Sequence, residues 1–481
     1  MAKEEDSRII LIVSDLHLSA GWDEESKRLS LNEDFFFDQN FQRFLDFYIK
    51  EGAQKNDQKK RRVDLIIAGD CVDLLQVTDV PKDDEGNPLK KLDGEDITQT
   101  EVDYGLRTSP KKSCWKLTSL MNGHTIFFKA LAKFLLADNR VIILPGNHDI
   151  EFALPEVQEC LKTQLLEFLP KPEDLGPDWE EKVGRVFNKN EAKAIINENL
   201  CFRPWFYYES GLLYVEHGHQ YDSLNSFDCF LHPLTPETAP EPFIYLPVGS
   251  FFVRYLFNKL ENIFPFADNM KPATSFIKHT IFRWQAWFNF RKYYRFFSKI
   301  LREKTEPIKQ EWRDDMEKRQ QLCMQQIVCD TGIACDDLKA LKGQWAETAL
   351  HHWSKLELLY TFIRGESKKD GYCRAAKLIK DTLGVRYVVF GHTHEADLRP
   401  LGEEGNKKMW DQEYVNSGTW TRVFTEDLAE RLLKDENEFV FVMIDTSTEK
   451  MELLRWKDEL NQGERVRLFH SHDVQLKSRK P

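Results

Sequence analysis

The sequence predicts an α/β protein, and three observations carry that prediction. Short, β-branched apolar runs alternate with stretches of helical periodicity. Several of those runs stop at a cluster of acidic and histidine residues. A stretch without strand patterning, from about Asp222 to Gly371, interrupts the alternation and reads as a large helical insertion. Open α/β sheets build sites just beyond the C-terminal ends of their strands, so layout and chemistry agree.

Arg8 to Val13 (RIILIV) is almost wholly apolar, the mark of a strand buried on both faces, and it ends at Ser14-Asp15-Leu16-His17. Arg62 to Ala68 is a second such strand, ending at Gly69-Asp70-Cys71-Val72-Asp73. Residues 74 to 118 turn polar, with Pro81, Gly86, Pro88 and Gly94, and read as a long excursion outside the core. Leu117 to Leu136 has the period of one helix, and Arg140 to Leu144 is a third buried strand running into Pro145-Gly146-Asn147-His148-Asp149. Pro155 to Leu169 reads as a helix with proline tolerated in its first turn. A loop over Asp174 to Asp178 follows.

Cys201 to Tyr208 and Gly211 to Val215 form an expected hairpin whose second strand delivers Glu216-His217-Gly218-His219. Helices are expected over Ile308 to Val328 and Asp336 to Arg364. Strands resume at Arg386 to Phe390, which leads into Gly391-His392-Thr393-His394. Glu413 to Asn416, Phe439 to Ile444 and Met451 to Trp456 close the sheet, and the chain after Asp458 is a polar tail. The expected organisation is a core in two parts, 1–222 and 376–458, a helical cap or lid over 223–375, and a tail over 459–481.

Composition narrows the classes. A chain of 481 residues can bury a large core. Its net charge of -12 argues against broad nucleic-acid affinity, which needs a basic face to neutralise phosphates. Nine scattered cysteines, odd in number and without a CxxC pair, argue against a disulfide framework or a zinc knuckle. The polar, acidic start Met-Ala-Lys-Glu-Glu-Asp-Ser is unlike a signal peptide. The longest apolar candidate, Phe243 to Phe257, is broken by Pro247, Gly249, Ser250 and Arg254. A cytoplasmic location is expected.

Taken singly, each cluster has a plain reading. Asp-x-His after a strand is commonly a turn with a helix cap, and Gly-Asn-His-Asp can be a turn whose Asn and Gly tolerate positive φ. Five together, in order, each ending a buried strand, are hard to explain as turns. Carboxylates and imidazoles gathered in one buried place need a cation.

The set Asp15-x-His17, Gly69-Asp70-x-x-Asp73, Gly146-Asn147-His148-Asp149, His217-Gly218-His219 and Gly391-His392-x-His394 resembles the calcineurin-like metallophosphoesterase superfamily. Asn416-Ser417-Gly418-Thr419-Trp420 is similar to a strand turn seen in many of these enzymes. The resemblance covers residues 8 to 222 and 386 to 456 and says nothing of the insertion. It implies a four-layer α/β/β/α sandwich holding two divalent transition-metal ions, Mn, Fe or Zn. Asp15, His17, Asp70 and His394 would bind one ion, and Asp70, Asn147, His217 and His392 the other, with Asp70 bridging. Oxygen and imidazole donors suit such metals independently of the resemblance.

The implied reaction is hydrolysis of a phosphomonoester or pyrophosphate by metal-activated hydroxide, on a phosphorylated small molecule or a lipid-linked or nucleotide-sugar substrate. His148 resembles the family's general acid, and Asp73 the carboxylate that orients it. Asp149 stabilises its loop, Cys71 packs as a small hydrophobe, and His219 is either a hydrogen bonder in the site wall or structural. A phosphodiesterase or nuclease is the rival enzyme, and a non-catalytic scaffold the rival class.

The chain departs from its relatives in two respects. Protein Ser/Thr phosphatases carry Arg-Gly after the second Asp and Glu after Gly-Asn-His; here Leu74-Leu75 and Asp149 stand instead, against a phosphoprotein substrate. Hydrolases of UDP-diacylglucosamine share the start and end motifs but often have Arg at the position of His148 and lack so long an insertion. Within the insertion, residues 243–302 hold ten basic side chains against Glu261 and Asp268, a net +8, among many aromatics such as Trp284, Trp287, Tyr293 and Tyr294. That suits peripheral contact with an anionic membrane or a lid over an amphiphilic phosphate. A plain helical cap with snorkelling basic residues fits equally, and a nucleic-acid groove comes third.

Overall fold

Two β-sheets pack face to face with helices outside each. The computed structural model describes residues 7–24, 27–53, 61–170, 188–236, 238–239, 241–260, 270–271, 309–348, 369–402, 411–421, 424–425, 439–459 and 462–467. In chain order the main elements are β1 (Ile9–Val13), α1 (Asp38–Ala53), β2 (Val63–Ala68), α2 (Pro110–Gly123), α3 (Thr125–Leu136), β3 (Arg140–Leu144) and α4 (Pro155–Leu165). Then come β4 (Leu200–Phe202), β5 (Tyr207–Glu209), β6 (Leu213–Val215), α5 (Gln310–Thr331), α6 (Cys335–Thr348), α7 (Lys369–Leu383) and β7 (Tyr387–Phe390). The chain continues with β8 (Asp397–Pro400), β9 (Glu413–Asn416), β10 (Phe439–Asp445), β11 (Lys450–Glu459) and β12 (Gln462–Arg467).

The first sheet has the order β12-β11-β10-β1-β2-β3-β4, and the second β8-β9-β7-β6-β5. β1 to β4 run parallel, as do β6, β7 and β9, while β5, β8, β10, β11 and β12 are antiparallel additions. Period-two alternation divides each strand between two cores. Ile10, Ile12, Ile66, Ala68 and Ile142 meet Val215, Val389 and Val415 between the sheets. The alternate residues Leu11, Val13, Leu65 and Ile67 face outward with Phe41, Phe44, Tyr48 and Leu131 of the helices. Phe41, Phe44 and Tyr48 recur at helical spacing and pack edge-on or stacked against Trp420, Phe127 and Phe441. Helix α7 covers the second sheet at β7 and β9. The layers are therefore α/β/β/α.

Several sequence expectations change. The single helix over Leu117 to Leu136 is two helices, broken at His124 (φ -118°, ψ 45°). The excursion after residue 74 is partly core: Leu74, Leu75, Val77 and Leu106 are buried, and so are Lys112 and Lys116. Lys112 Nζ reaches Asp96 O at 2.9 Å, Glu101 at 2.8 Å and Glu241 at 2.5 Å, which explains how a lysine is buried at all. The stretch Cys201 to Tyr208 is not one strand; β4 joins the first sheet and β5 pairs with β6 in the second. The sheet also runs on to Arg467 in β12, past Asp458 where the polar tail was expected to start.

All nine cysteines are free thiols. No described helix is long and apolar enough to cross a membrane. Most of the basic, aromatic block, including Lys278, Arg283, Arg291 and Trp284, lies outside the described residues, as do Asp174 to Asp178 and the expected helix beyond Thr348.

Candidate metal centre

The C-terminal ends of β1, β2 and β3 in one sheet and of β6 and β7 in the other open onto the same volume. Parallel strands align these ends, so each loop that follows a strand starts beside its neighbours. Among the described residues nine non-glycine positions have positive φ, and five of them are Asp15 (54°), His17 (51°), Asp70 (51°), His392 (67°) and His394 (58°). A left-handed residue costs about 1–3 kcal/mol, so its concentration here marks a site whose surroundings enforce it.

The loops also need small residues where they cross. A Cβ on Gly146 would overlap Asp70 Oδ1, and one on Gly391 would lie 2.7 Å from Asp15 Oδ2. These two glycines let the loops approach closely enough for their donors to meet.

The sequence-predicted ligands are brought together. His17 Nε2 lies 3.0 Å from His394 Nε2, 3.8 Å from Asp70 Oδ2 and 3.9 Å from Asp15 Oδ1. His394 Nε2 is 3.2 Å from Asp15 Oδ1. His217 Nε2 is 3.0 Å from Asp70 Oδ2 and 3.2 Å from Asn147 Oδ1, while its Nδ1 faces Ala68 O at 2.8 Å. That carbonyl takes the Nδ1 proton and leaves the Nε2 lone pair for the site. Among the described residues three groups have donor atoms mutually within 4.8 Å: Asp15, His17 and His394; His17, Asp70 and His148; and Asp70, His217 and His392.

Burial opposes ionisation of Asp15, Asp70 and Asp73, but the neighbouring imidazoles outweigh it and hold all three carboxyls below their ordinary range. His394 is the main partner for Asp15, His217 for Asp70 and His148 for Asp73. Conversely His217, desolvated yet beside Asp70, is pushed up to about 9. Positive charge is thus favoured at the centre of the cluster, whether it sits on an imidazolium or on a divalent cation. Imidazole nitrogens and carboxylate or carboxamide oxygens, with no thiolate among them, fit borderline divalent transition metals. The residues present therefore fit the implied metals.

His148 and Asp73 stand to one side. His148 Nδ1 hydrogen-bonds Asp73 Oδ2, and its backbone N–H donates to Asp70 Oδ1 at 2.9 Å. Burial opposes charge on His148, but Asp73 and then Asp70 outweigh it and raise the pKa. A nearby metal cation would oppose that rise. Asp73 is held in turn: its Oδ1 accepts from Leu75 N at 2.9 Å and Gln76 N at 3.0 Å. Asp149 accepts from Cys71 N at 2.7 Å and Gly146 N at 2.6 Å, and so ties the two motif loops. Cys71 is buried. His219 is buried against the edges of Phe227 and Phe230.

Other contributors carry no motif signal. Asp222 Oδ2 lies 3.1 Å from His392 Nε2. Lys116 Nζ donates to Leu74 O at 2.9 Å and Asn258 Nδ2 to Leu75 O at 2.8 Å, so the turn after Asp73 is braced from helix α2 and from the insertion. The Asn416 turn was legible. Asn416 Nδ2 donates to Gly391 O at 2.6 Å and Thr419 Oγ1 to Asp15 O at 2.7 Å, joining the first and last motif loops.

Residues 9–248 match the model of a family described as calcineurin-like phosphoesterase. The match takes in four of the five motif loops, and the Gly391–His394 run completes the cluster from beyond it. No curated protein matches the chain.

Proposed function

The chain belongs to the calcineurin-like phosphoesterases and is a phosphoric ester hydrolase, and from that premise we propose that it is a dinuclear metal-dependent phosphohydrolase acting on a phosphomonoester or pyrophosphate. Asp15, His17, Asp70 and His394 would hold one divalent ion, and Asp70, Asn147, His217 and His392 the other. The observation that carries this is the place of Asp70: its Oδ2 lies 3.0 Å from His217 Nε2 and 3.8 Å from His17 Nε2, between the two donor sets. Two such ions, when bound, lower the pKa of water and clamp the attacking and leaving oxygens of an in-line displacement.

The chain's own residues do the rest. Asp73 accepts the Nδ1 proton of His148 and fixes the ring, so that Nε2 is the nitrogen free to hand a proton to the leaving oxygen. Backbone donors at Leu75 and Gln76 keep Asp73 ionised and aligned. The substrate is a phosphorylated small molecule, lipid-linked or a nucleotide sugar, and the metals are Mn, Fe or Zn.

Metal analysis of the purified chain should find close to two transition-metal ions per molecule. With Mn supplied, it should hydrolyse p-nitrophenyl phosphate or a pyrophosphate-linked nucleotide sugar in preference to bis-p-nitrophenyl phosphate. Full activity from a metal-free preparation would overturn the metal-dependent reading, and preference for the bis-ester would replace it with a phosphodiesterase.

A further inference from the structure

Asp222 stands where the core's first part passes into the insertion, three residues after His219, and belongs to none of the five motifs. Its Oδ2 faces His392 Nε2 at 3.1 Å. The same carboxylate is fixed by its own turn, where Oδ1 accepts from Leu224 N at 3.0 Å and Oδ2 from Asn225 Nδ2 at 2.8 Å. That turn is locked in place by the first helix of the insertion, Val248–Phe252. Gly249 N donates to Leu224 O at 2.7 Å, and the missing side chain of Gly249 makes room for Asn225 Oδ1. His392 itself is held from the other side by its backbone N–H, which donates to Asp15 Oδ2 at 2.9 Å. A rigid acceptor therefore meets one nitrogen of an imidazole whose backbone is already constrained.

An imidazole that gives a hydrogen bond through one nitrogen offers its lone pair through the other. We infer that Asp222 is a positioning residue that keeps the His392 proton on Nε2 and so presents Nδ1 as the metal-binding nitrogen. This rests on His392 being a ligand, as proposed above. It also gives the end of the core's first part, where the chain passes into the insertion, a part in the metal centre as the outer partner of one ligand. Such outer partners typically change metal affinity about 10- to 100-fold.

Asp222→Asn is the informative variant. The Asn carbonyl can still accept from Leu224 N, but its amide would meet His392 Nε2 as a donor and so drive the proton to Nδ1. The full-length chain, labelled with ¹⁵N-histidine and freed of metal, gives the tautomer of His392 by NMR, with the signal assigned by its loss in His392→Gln. Mn binding to the same proteins is measured by competition titration, and melting temperature reports any turn defect.

The wild type should show the Nε2–H tautomer. Asp222→Asn should show Nδ1–H and bind one of two ions about 10- to 100-fold more weakly, and Asp222→Glu should recover part of both. A wild-type Nδ1–H tautomer, or wild-type Mn affinity for both ions in Asp222→Asn and Asp222→Ala, would overturn the inference alone. A wild type that binds no Mn would remove the metal reading beneath it as well.

Discussion

In the proposed reaction His148 is the proton donor to the leaving oxygen. Its ring hydrogen-bonds Asp73. His148→Ala should therefore lower turnover about 10²- to 10⁴-fold while metal content, measured on the same preparation, stays at the wild-type level. Loss of metal together with activity would recast His148 as a ligand, a role that its closeness to His17 and Asp70 makes a fair alternative to test. Gly146 works in the opposite way. It touches no substrate, yet a methyl there would overlap Asp70 Oδ1, so Gly146→Ala should reduce metal occupancy in a chain that still folds, as read by metal analysis beside circular dichroism. At this scale the cluster was legible because each of the gathered Asp, Asn and His side chains sits within a short motif. Asp222 was not, since a carboxylate whose partner lies 170 positions away leaves no local pattern.

Among the elements, the break between α2 and α3 shows where periodicity misleads. The apolar spacing from Leu117 to Leu136 runs on without a gap, but Gly123 abuts the backbone at Ala20 and Gly21, and His124 turns in toward Glu33 and Asp38 at 3.1 Å each. Burial opposes a charge on His124, but Glu33 and then Asp38 outweigh it and raise its pKa from 6.5 to about 10. Its contribution to stability is thus complete below pH 6.5 and is lost as pH climbs through 10. The difference in unfolding free energy between wild type and His124→Ala should be on the order of 3 kcal/mol at pH 6 and should shrink toward pH 10, as measured by denaturant titration. A difference that grew with pH would mean that the imidazole is buried neutral. The split of Cys201 to Tyr208 between two sheets has a similar origin, because strand propensity does not say which sheet a strand will join.

In the whole molecule, two facing sheets hold acidic and basic donors together at one end, and the apolar core between them cannot screen those charges. Ions bound there should stabilise the fold by mass action, by about 2.7 kcal/mol at a hundredfold excess over the dissociation constant. Chelation should accordingly lower the melting temperature by roughly 2–4 °C, and Mn should restore it; an unchanged melting temperature would mean that the ligands gain nothing from the ions. The sequence by itself determined most of the buried strands and the acidic and histidine clusters at their ends, since period-two patterning and short motifs are local properties of the chain. Only the tertiary structure decided that Lys112 and Lys116 are buried, that His124 divides a helix, and that Asp222 reaches His392. Each of those depends on a partner distant in sequence, which becomes a neighbour only when helices dock on the sheets and the loops after the strands meet at one end.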